Sequence, residues 1–257
     1  MKTALITGAY GAIGREIAIG LVKQNYRILL VGRKEKRLNE LKEELQSNYE
    51  NSQCQVYIAD LSLNAGIQKL ADSIDEKIHV LINNAATAPV QRIETEEGIE
   101  MQWATNVLGY YWMIMAFHKQ LLRTSNPRIV NVASYWAGDL DLEDPEFKTR
   151  IYNNNVAYRQ SKQADRMLTY GLTEFFKGTI AINSCHPGDT NSKLSNDLGF
   201  GGSESAKKAA ETPLLLATTD LGLEYNGQYF EHGKISNCRF QKNESAIDQL
   251  LEICEQY

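Results

Sequence analysis

An α/β fold is what this sequence of 257 residues predicts, with one doubly wound parallel sheet and helices on both faces. Two observations carry that expectation. Short apolar runs recur along the chain and are separated by longer amphipathic stretches, the strand and helix alternation from which parallel sheets are built. The first run, Ala4-Leu5-Ile6, ends in the glycine-rich turn Thr7 to Gly14, followed by a helix with Ile17, Ala18, Leu21 and Val22 on one face. Strand, glycine-rich turn and helix present backbone N–H groups to a pyrophosphate at a helix N-terminus, as in a Rossmann-type dinucleotide site. A plain βα turn that uses glycines for steric reasons is the competing explanation. The length suits a single domain over residues 1–257 with about seven strands.

Composition narrows the function classes. The apolar fraction of 43% and charged fraction of 23% are those of an ordinary globular protein. A net charge of −5 argues against a nucleic-acid partner, which needs a basic face. Cys54, Cys185, Cys238 and Cys254 lie far apart without metal-ligand spacing, so no metal site is expected and reduced thiols in a cytoplasmic setting are. The first strand starts almost at Met1, and no signal peptide or membrane anchor is expected.

The elements follow in order. A second strand at Arg27–Gly32 leads to Arg33-Lys34-Glu35-Lys36-Arg37. Four cations at a helix start oppose the helix dipole, so an anion is expected nearby, although a solvated basic helix end would look the same. In a dinucleotide fold, an acidic residue at the end of strand two holds the ribose of NAD, whereas an Arg suits the 2′-phosphate of NADP. No Asp or Glu stands at Val31, Gly32 or Arg33, so Arg33 points to NADP(H) over NAD(H). Residues 55–59 read as strand three, ending at Asp60-Leu61, where Asp60 suits an adenine amino group or a helix cap. Residues 78–82 read as strand four, closed by Asn83-Asn84-Ala85-Ala86, whose asparagines suit a turn and would hold the cofactor loop in shape.

A long helix is expected over residues 101–122, loaded with Trp103, Tyr110, Tyr111, Trp112, Met113, Met115 and Phe117. Core packing covers most of this, and the surplus suggests a subunit interface, hence a homodimer or homotetramer. Asn106 is the odd polar residue, and an Asn within a helix ordinarily faces solvent. Strand five, Arg128–Val132, ends at Ala133-Ser134, on the ligand side of an open sheet. The polar, acidic stretch 135–155 reads as a substrate loop with a short helical piece. Residues 179–184 read as strand six, followed by His186-Pro187-Gly188-Asp189-Thr190. The glycine-bearing stretch 190–204 has the composition of a lid. A helix over about 205–217, a strand at 228–230 and a C-terminal helix complete the chain.

The organising motif lies in the helix after the substrate loop. Tyr158 and Lys162 are four residues apart, which stacks them on one helix face. A phenol ordinarily titrates near ~10, and a cation fixed beside it favours the phenolate, making the tyrosine usable as an acid or base.

Taken together, these residues resemble the short-chain dehydrogenase/reductase family over essentially the whole length. The Thr7 to Gly14 turn, Asp60-Leu61, Asn83-Asn84-Ala85, Asn106, Ser134, Tyr158 with Lys162, and Pro187-Gly188 stand in the family's order. The sequence looks most like the retinol-dehydrogenase-like, WW-domain-oxidoreductase-like branch. The features that suggest it are Asn131-Val132-Ala133-Ser134, the long insertion before Tyr158, His186-Pro187-Gly188 and the stretch Asn226 to Phe230.

The resemblance implies that Tyr158 exchanges a proton with the substrate oxygen and that Lys162 lowers its pKa and binds the nicotinamide ribose. Ser134 would hold the substrate oxygen, and Asn106 would fix a water that links Lys162 to solvent. The cofactor would lie along Gly8, Tyr10, Gly11, Ala12, Ile13, Gly14, Arg33, Asp60, Leu61, Asn84, Ala85, Pro187, Gly188 and Thr190. Two departures stand out: Ala12 occupies a usual glycine position, where its methyl would crowd the pyrophosphate, and Ala86 replaces the usual glycine after Asn-Asn-Ala.

The expected activity is an NADP-dependent oxidoreductase acting on a small carbonyl or alcohol. Trp136, Tyr152 and Phe200 hint at an apolar substrate. A nucleotide-sugar epimerase or dehydratase is the alternative raised by the Gly8, Gly11, Gly14 spacing, against which stands the short chain left after strand six. A cofactor-binding regulator without catalysis is the third, disfavoured by the complete set of Asn106, Ser134, Tyr158 and Lys162.

Overall fold

Alternation along the strands divides the core. Leu5, Leu29, Leu81, Ile129 and Ile182 point to one face of the sheet, while Ala4, Ile6, Ile28, Leu30, Val80 and Val130 point to the other. Both faces are therefore apolar, which requires helices on both sides. The computed structural model describes residues 1–257.

The chain runs β1 (Thr3–Thr7), α1 (Ala12–Lys23), β2 (Arg27–Gly32), α2 (Glu35–Asn48), β3 (Cys54–Ile58), α3 (Asn64–Asp72) and β4 (Val80–Asn83). A π-helical segment, Trp103–Leu108, then passes into α4 (Gly109–Leu122), followed by β5 (Arg128–Val132), α5 (Asn154–Phe175) and β6 (Ala181–His186). Short helices α6 (Lys193–Asp197), α7 (Ala206–Ala209), α8 (Glu211–Thr218) and α9 (Leu221–Glu224) precede β7 (Tyr229–Glu231) and β8 (Lys234–Ile235). A 3-10 turn at Arg239–Lys242 and α10 (Glu244–Glu255) end the chain.

The strands form one sheet in the order β3-β2-β1-β4-β5-β6-β7-β8, parallel except for β8. The chain leaves β1 toward β2 and β3, then returns to place β4 on the other side of β1. That reversal opens a crevice at the carboxyl ends of the strands, where open α/β sheets bind ligands.

Several expectations are corrected. The sheet has eight strands, because His232 and Gly233 both adopt positive φ and turn β7 back into β8, as a tight hairpin requires. The sixth strand starts at Ala181, where pairing with Arg128 of β5 begins. The helix expected over 205–217 is broken into α7 and α8, since Pro213 lacks the N–H that would bond back to the carbonyl of Ala209. The 135–155 stretch forms turns without a helix before α5 begins at Asn154.

The surplus of aromatic residues along α4 is also accounted for within the chain. Trp103, Tyr111, Trp112, Met113 and Phe117 are buried in a core that Ile247, Leu250 and Cys254 of α10 help to close, and Tyr110 is buried against Lys162. The observation that suggested an interface is thus explained by intramolecular packing. No helix is long and apolar enough to cross a membrane.

Candidate functional site

The start of α1 and the ends of β4, β5 and β6 surround a cleft of about 80 Å³. Of the residues singled out in the sequence, Ile13, Asn84, Ala86, Ser134, Tyr158, Lys162, Phe200 and the stretch His186 to Thr190 line it.

The glycine-rich turn is tied to the end of β4. Thr7 Oγ1 accepts from the backbone N–H groups of Asn84 at 2.8 Å and Ala85 at 3.0 Å. Asn84 Nδ2 donates to the carbonyls of Thr7 at 2.9 Å and Gly8 at 3.3 Å. Gly8 adopts a φ of +63°, and a Cβ there would come within 2.9 Å of Ala85 Cα, so only glycine fits the contact. Gly11 caps α1 without any side-chain hydrogen bond, and the first turn of α1 contains no acidic residue. That leaves a helix N-terminus with Ala12, Ile13 and Gly14 free to face an anion. Ala86 is not among the residues of positive φ, so the chain accommodates it without left-handed strain.

At the end of β2, Tyr10 lies across Gly32, where a Cβ would meet Tyr10 Cε1 at 2.6 Å. The Arg37 guanidinium stands 5.0 Å from the centre of the Tyr10 ring. Arg33 Nη1 is 3.4 Å from Asp60 Oδ2, and Asp60 Oδ1 accepts from Ser62 N at 3.0 Å and Ser62 Oγ at 2.7 Å. Burial works to raise the Asp60 carboxyl, but the Ser62 hydrogen bonds and Arg33 outweigh it and hold it low. Leu61 is buried beneath. The cation expected at a 2′-phosphate and the acceptor expected at an adenine are thus paired with each other. An uncapped helix N-terminus at one end and an arginine-bearing rim at the other suit an adenine dinucleotide carrying phosphate groups. Thr190 Oγ1, buried without a partner on the cleft wall, offers a further polar contact.

Asn106 corrects the expectation of a solvent-facing residue. It is fully buried in the π-helical segment, a geometry frequent at functional sites. Its Oδ1 accepts from Thr87 N at 2.9 Å, and its Nδ2 donates to Thr87 O at 3.0 Å and Ser161 Oγ at 3.2 Å. Ser161 Oγ donates in turn to the Tyr158 carbonyl at 2.7 Å. Asn106 therefore fixes the start of α5 and makes no direct bond to Lys162.

Tyr158 and Lys162 are both buried on α5. Lys162 Nζ donates to the Val132 carbonyl at 3.0 Å and to Asp165 Oδ2 at 2.8 Å, and it lies 5.9 Å from the centre of the Tyr158 ring. Against the lowering expected from Lys162, burial is the larger influence on Tyr158. Burial drives the phenol well above its ordinary value, opposed by the nearby Ser134 hydroxyl and reinforced by the negative charge of Asp165. His186 is lowered to about 4, first by burial, so it is neutral at pH 7.

An apolar wall of Trp136, Leu194, Leu198 and Phe200 packs around Tyr158, with Trp136 and Phe200 edge to face at 4.7 Å. Tyr152 is elsewhere: its hydroxyl donates to the Pro89 carbonyl at 3.0 Å, and its ring packs on Phe147. The sequence reading missed Asp165, Leu194 and Leu198. The i,i+3 spacing of Lys162 and Asp165 was the available signal for the first.

The profile of the family described as short chain dehydrogenase matches residues 2–199. Retinol dehydrogenase 13 of Homo sapiens is 28% identical over 251 residues, covering 90% of this chain and 76% of its own. Retinol dehydrogenase 12 of Bos taurus is 31% identical over 199 residues, covering 75% of this chain and 63% of its own. Among solved structures, an uncharacterized protein from Mycobacterium paratuberculosis superimposes with a TM-score of 0.83 at 25% identity, covering 100% of this chain and 92% of that one. The Pseudomonas aeruginosa RhlG/NADP complex gives 0.72 at 24% identity, over 90% of this chain and 94% of that one, a likeness of fold alone. The profile match and these relatives agree with the motif order along the strand ends, and the chain belongs to the short-chain dehydrogenase/reductase family, on its retinol-dehydrogenase-like branch, as a hydride-transfer oxidoreductase.

Proposed function

We propose that this protein interconverts a small apolar carbonyl compound and its alcohol using NADP(H), with Tyr158 as the proton donor and acceptor. The observation that carries this reading is Tyr158 at the base of the cleft, beside Ser134 and inside the apolar wall of Trp136, Leu198 and Phe200. Arg33 after β2 and Arg37 in the first turn of α2 support NADP(H) over NAD(H), since β2 itself ends without an acidic residue and the nearby Asp60 carboxylate is engaged by Arg33 and Ser62. Relatives named retinol dehydrogenases support an apolar alcohol or aldehyde as the substrate class.

The nicotinamide cofactor, when bound, supplies or accepts the hydride. Ser134 holds the carbonyl oxygen by hydrogen bond. As that oxygen gains the electron pair of the C=O bond, Tyr158 gives it the phenolic proton and becomes phenolate. Lys162, one turn away, stabilises that phenolate until a proton is returned from solvent. The apolar wall excludes water from the carbon under attack.

The test is NADPH consumption by purified protein against a panel of aliphatic and aromatic aldehydes and ketones. We expect turnover with apolar members, and Tyr158→Phe to lower kcat by about 10²-fold or more while NADPH binding is retained. Turnover undiminished in Tyr158→Phe removes Tyr158 from the chemistry.

A further inference from the structure

Lys162 has a partner that proton transfer by a tyrosine and a lysine does not require. Asp165 lies one turn further along α5, its Oδ2 at 2.8 Å from Lys162 Nζ, and the two side chains are 0% and 1% exposed. Asp165 Oδ1 has no hydrogen-bond partner in the protein. The ammonium is held on its other sides by the Val132 carbonyl at 3.0 Å and by the face of Tyr110, 4.9 Å from the ring centre.

Stability alone does not account for this arrangement. Removing two charges from water costs about as much as their attraction returns, and a carboxylate oxygen left without a donor adds to the cost. Its electrostatic consequence is more direct. A lone ammonium beside Tyr158 would strongly favour the phenolate, whereas an ammonium paired with a carboxylate presents a dipole whose field largely cancels at that distance.

We propose that Asp165 is a positioning residue of the proton-transfer site: its carboxylate fixes Lys162 against Val132 and offsets the lysine charge, so that Tyr158 stays a protonated donor at neutral pH. This rests on the reading of Tyr158 as the acid and base. The other titratable groups around the pair are Tyr110 from α4, Cys185 from β6 and Cys254 from α10, while Tyr135 and Asp189 face Tyr158 from the loops after β5 and β6. Lys162 is the one cation in that set. Burial pushes the Asp165 carboxyl up and Lys162 pulls it back.

The experiment is a pH titration by NMR of protein labelled with ¹³C at the tyrosine ζ carbon, with the Tyr158 resonance assigned by its loss in Tyr158→Phe. Asp165→Asn keeps the shape and an acceptor for Lys162 but removes the charge. Its Tyr158 midpoint should fall at least about one pH unit below that of the native chain. Asp165→Glu, which restores the charge, should return the midpoint toward the native value, a pattern that a merely structural role would not give. Asp165→Ser serves if the Asn variant does not fold. Coincident titrations of the native chain and the uncharged variants overturn the proposal. Because this readout needs no substrate, the two readings fail separately. A shifted midpoint without carbonyl turnover supports the Asp165 coupling and defeats the reductase reading. Turnover with coincident titrations defeats the Asp165 proposal alone.

Discussion

Arg33 and Asp60 meet across the ends of β2 and β3 with both side chains partly exposed, and such a pair contributes only about 0–1 kcal/mol. A 2′-phosphate would offer Arg33 a more highly charged acceptor and the chance of two parallel hydrogen bonds. Asp60 would not be stranded by the exchange, because Ser62 holds it through its N–H and its hydroxyl. Arg33→Ala is therefore expected to weaken NADPH about tenfold or more while leaving NADH nearly unchanged. Equilibrium titration of both cofactors checks this. Equal losses would make Arg33 an ordinary surface cation. The sequence made Arg33 visible because the absence of an acid at a strand end can be read from one dimension. The Arg33–Asp60 pair was not legible, since it depends on the register that sets β3 beside β2.

The loop between β5 and α5 shows the same boundary between what sequence conveys and what it withholds. Its acidic composition was visible and suggested a helical piece. Instead Asp144 organises it without a helix, accepting from Lys148 N at 2.6 Å, Thr149 Oγ1 at 2.8 Å, Arg150 N at 2.9 Å and Thr149 N at 3.0 Å. Burial works to raise the Asp144 carboxyl, but these donors prevail and hold it well below its ordinary value. A depressed carboxylate contributes stability that is present above its unfolded pKa, near ~3.9, and is lost as the pH falls through the folded value. Lowering the pH from 7 should therefore begin to loosen this loop below about pH 4. Asp144→Asn should destabilise the protein by about 1–3 kcal/mol at pH 7 and by progressively less in acid. Thermal melts across pH, with hydrogen exchange over residues 139–153, measure both. A constant difference between native and variant at every pH would show that Asp144 acts through shape alone. The strands, by contrast, were well marked: β2 and β5 were legible to the residue from their apolar runs. The π-helical segment was not, because apolar periodicity does not reveal which residues shift their hydrogen-bond partners.

At the scale of the whole molecule, the site was legible as a set of positions and illegible as a charge distribution. Tyr158, Lys162, Ser134 and the glycine-rich turn are brought to one crevice, as their order along an alternating α/β chain implied. The Asp165 partnership and the buried place of Asn106 arise from packing between α5, α4 and the π-helical segment, which no local pattern encodes. The same packing bears on the subunit contact expected at α4. The helix that the sequence reading would give to a second subunit is α4; α10 packs on the neighbouring α5, and its Ile247, Leu250 and Cys254 are buried in the core that the α4 aromatics share. A stable subunit contact needs about 800 Å² from each partner with a well-packed apolar centre, and the buried aromatics of α4 do not supply one. Sedimentation velocity should therefore return one species at the monomer mass of 29.0 kDa. Substituting Leu250→Asp should lower the melting temperature, because a charge would enter a closed core, and should not convert a dimer to a monomer. A native species at twice the monomer mass would place an interface elsewhere on the surface. Dissociation of that species by Leu250→Asp without loss of melting temperature would instead return α10 to an interface role.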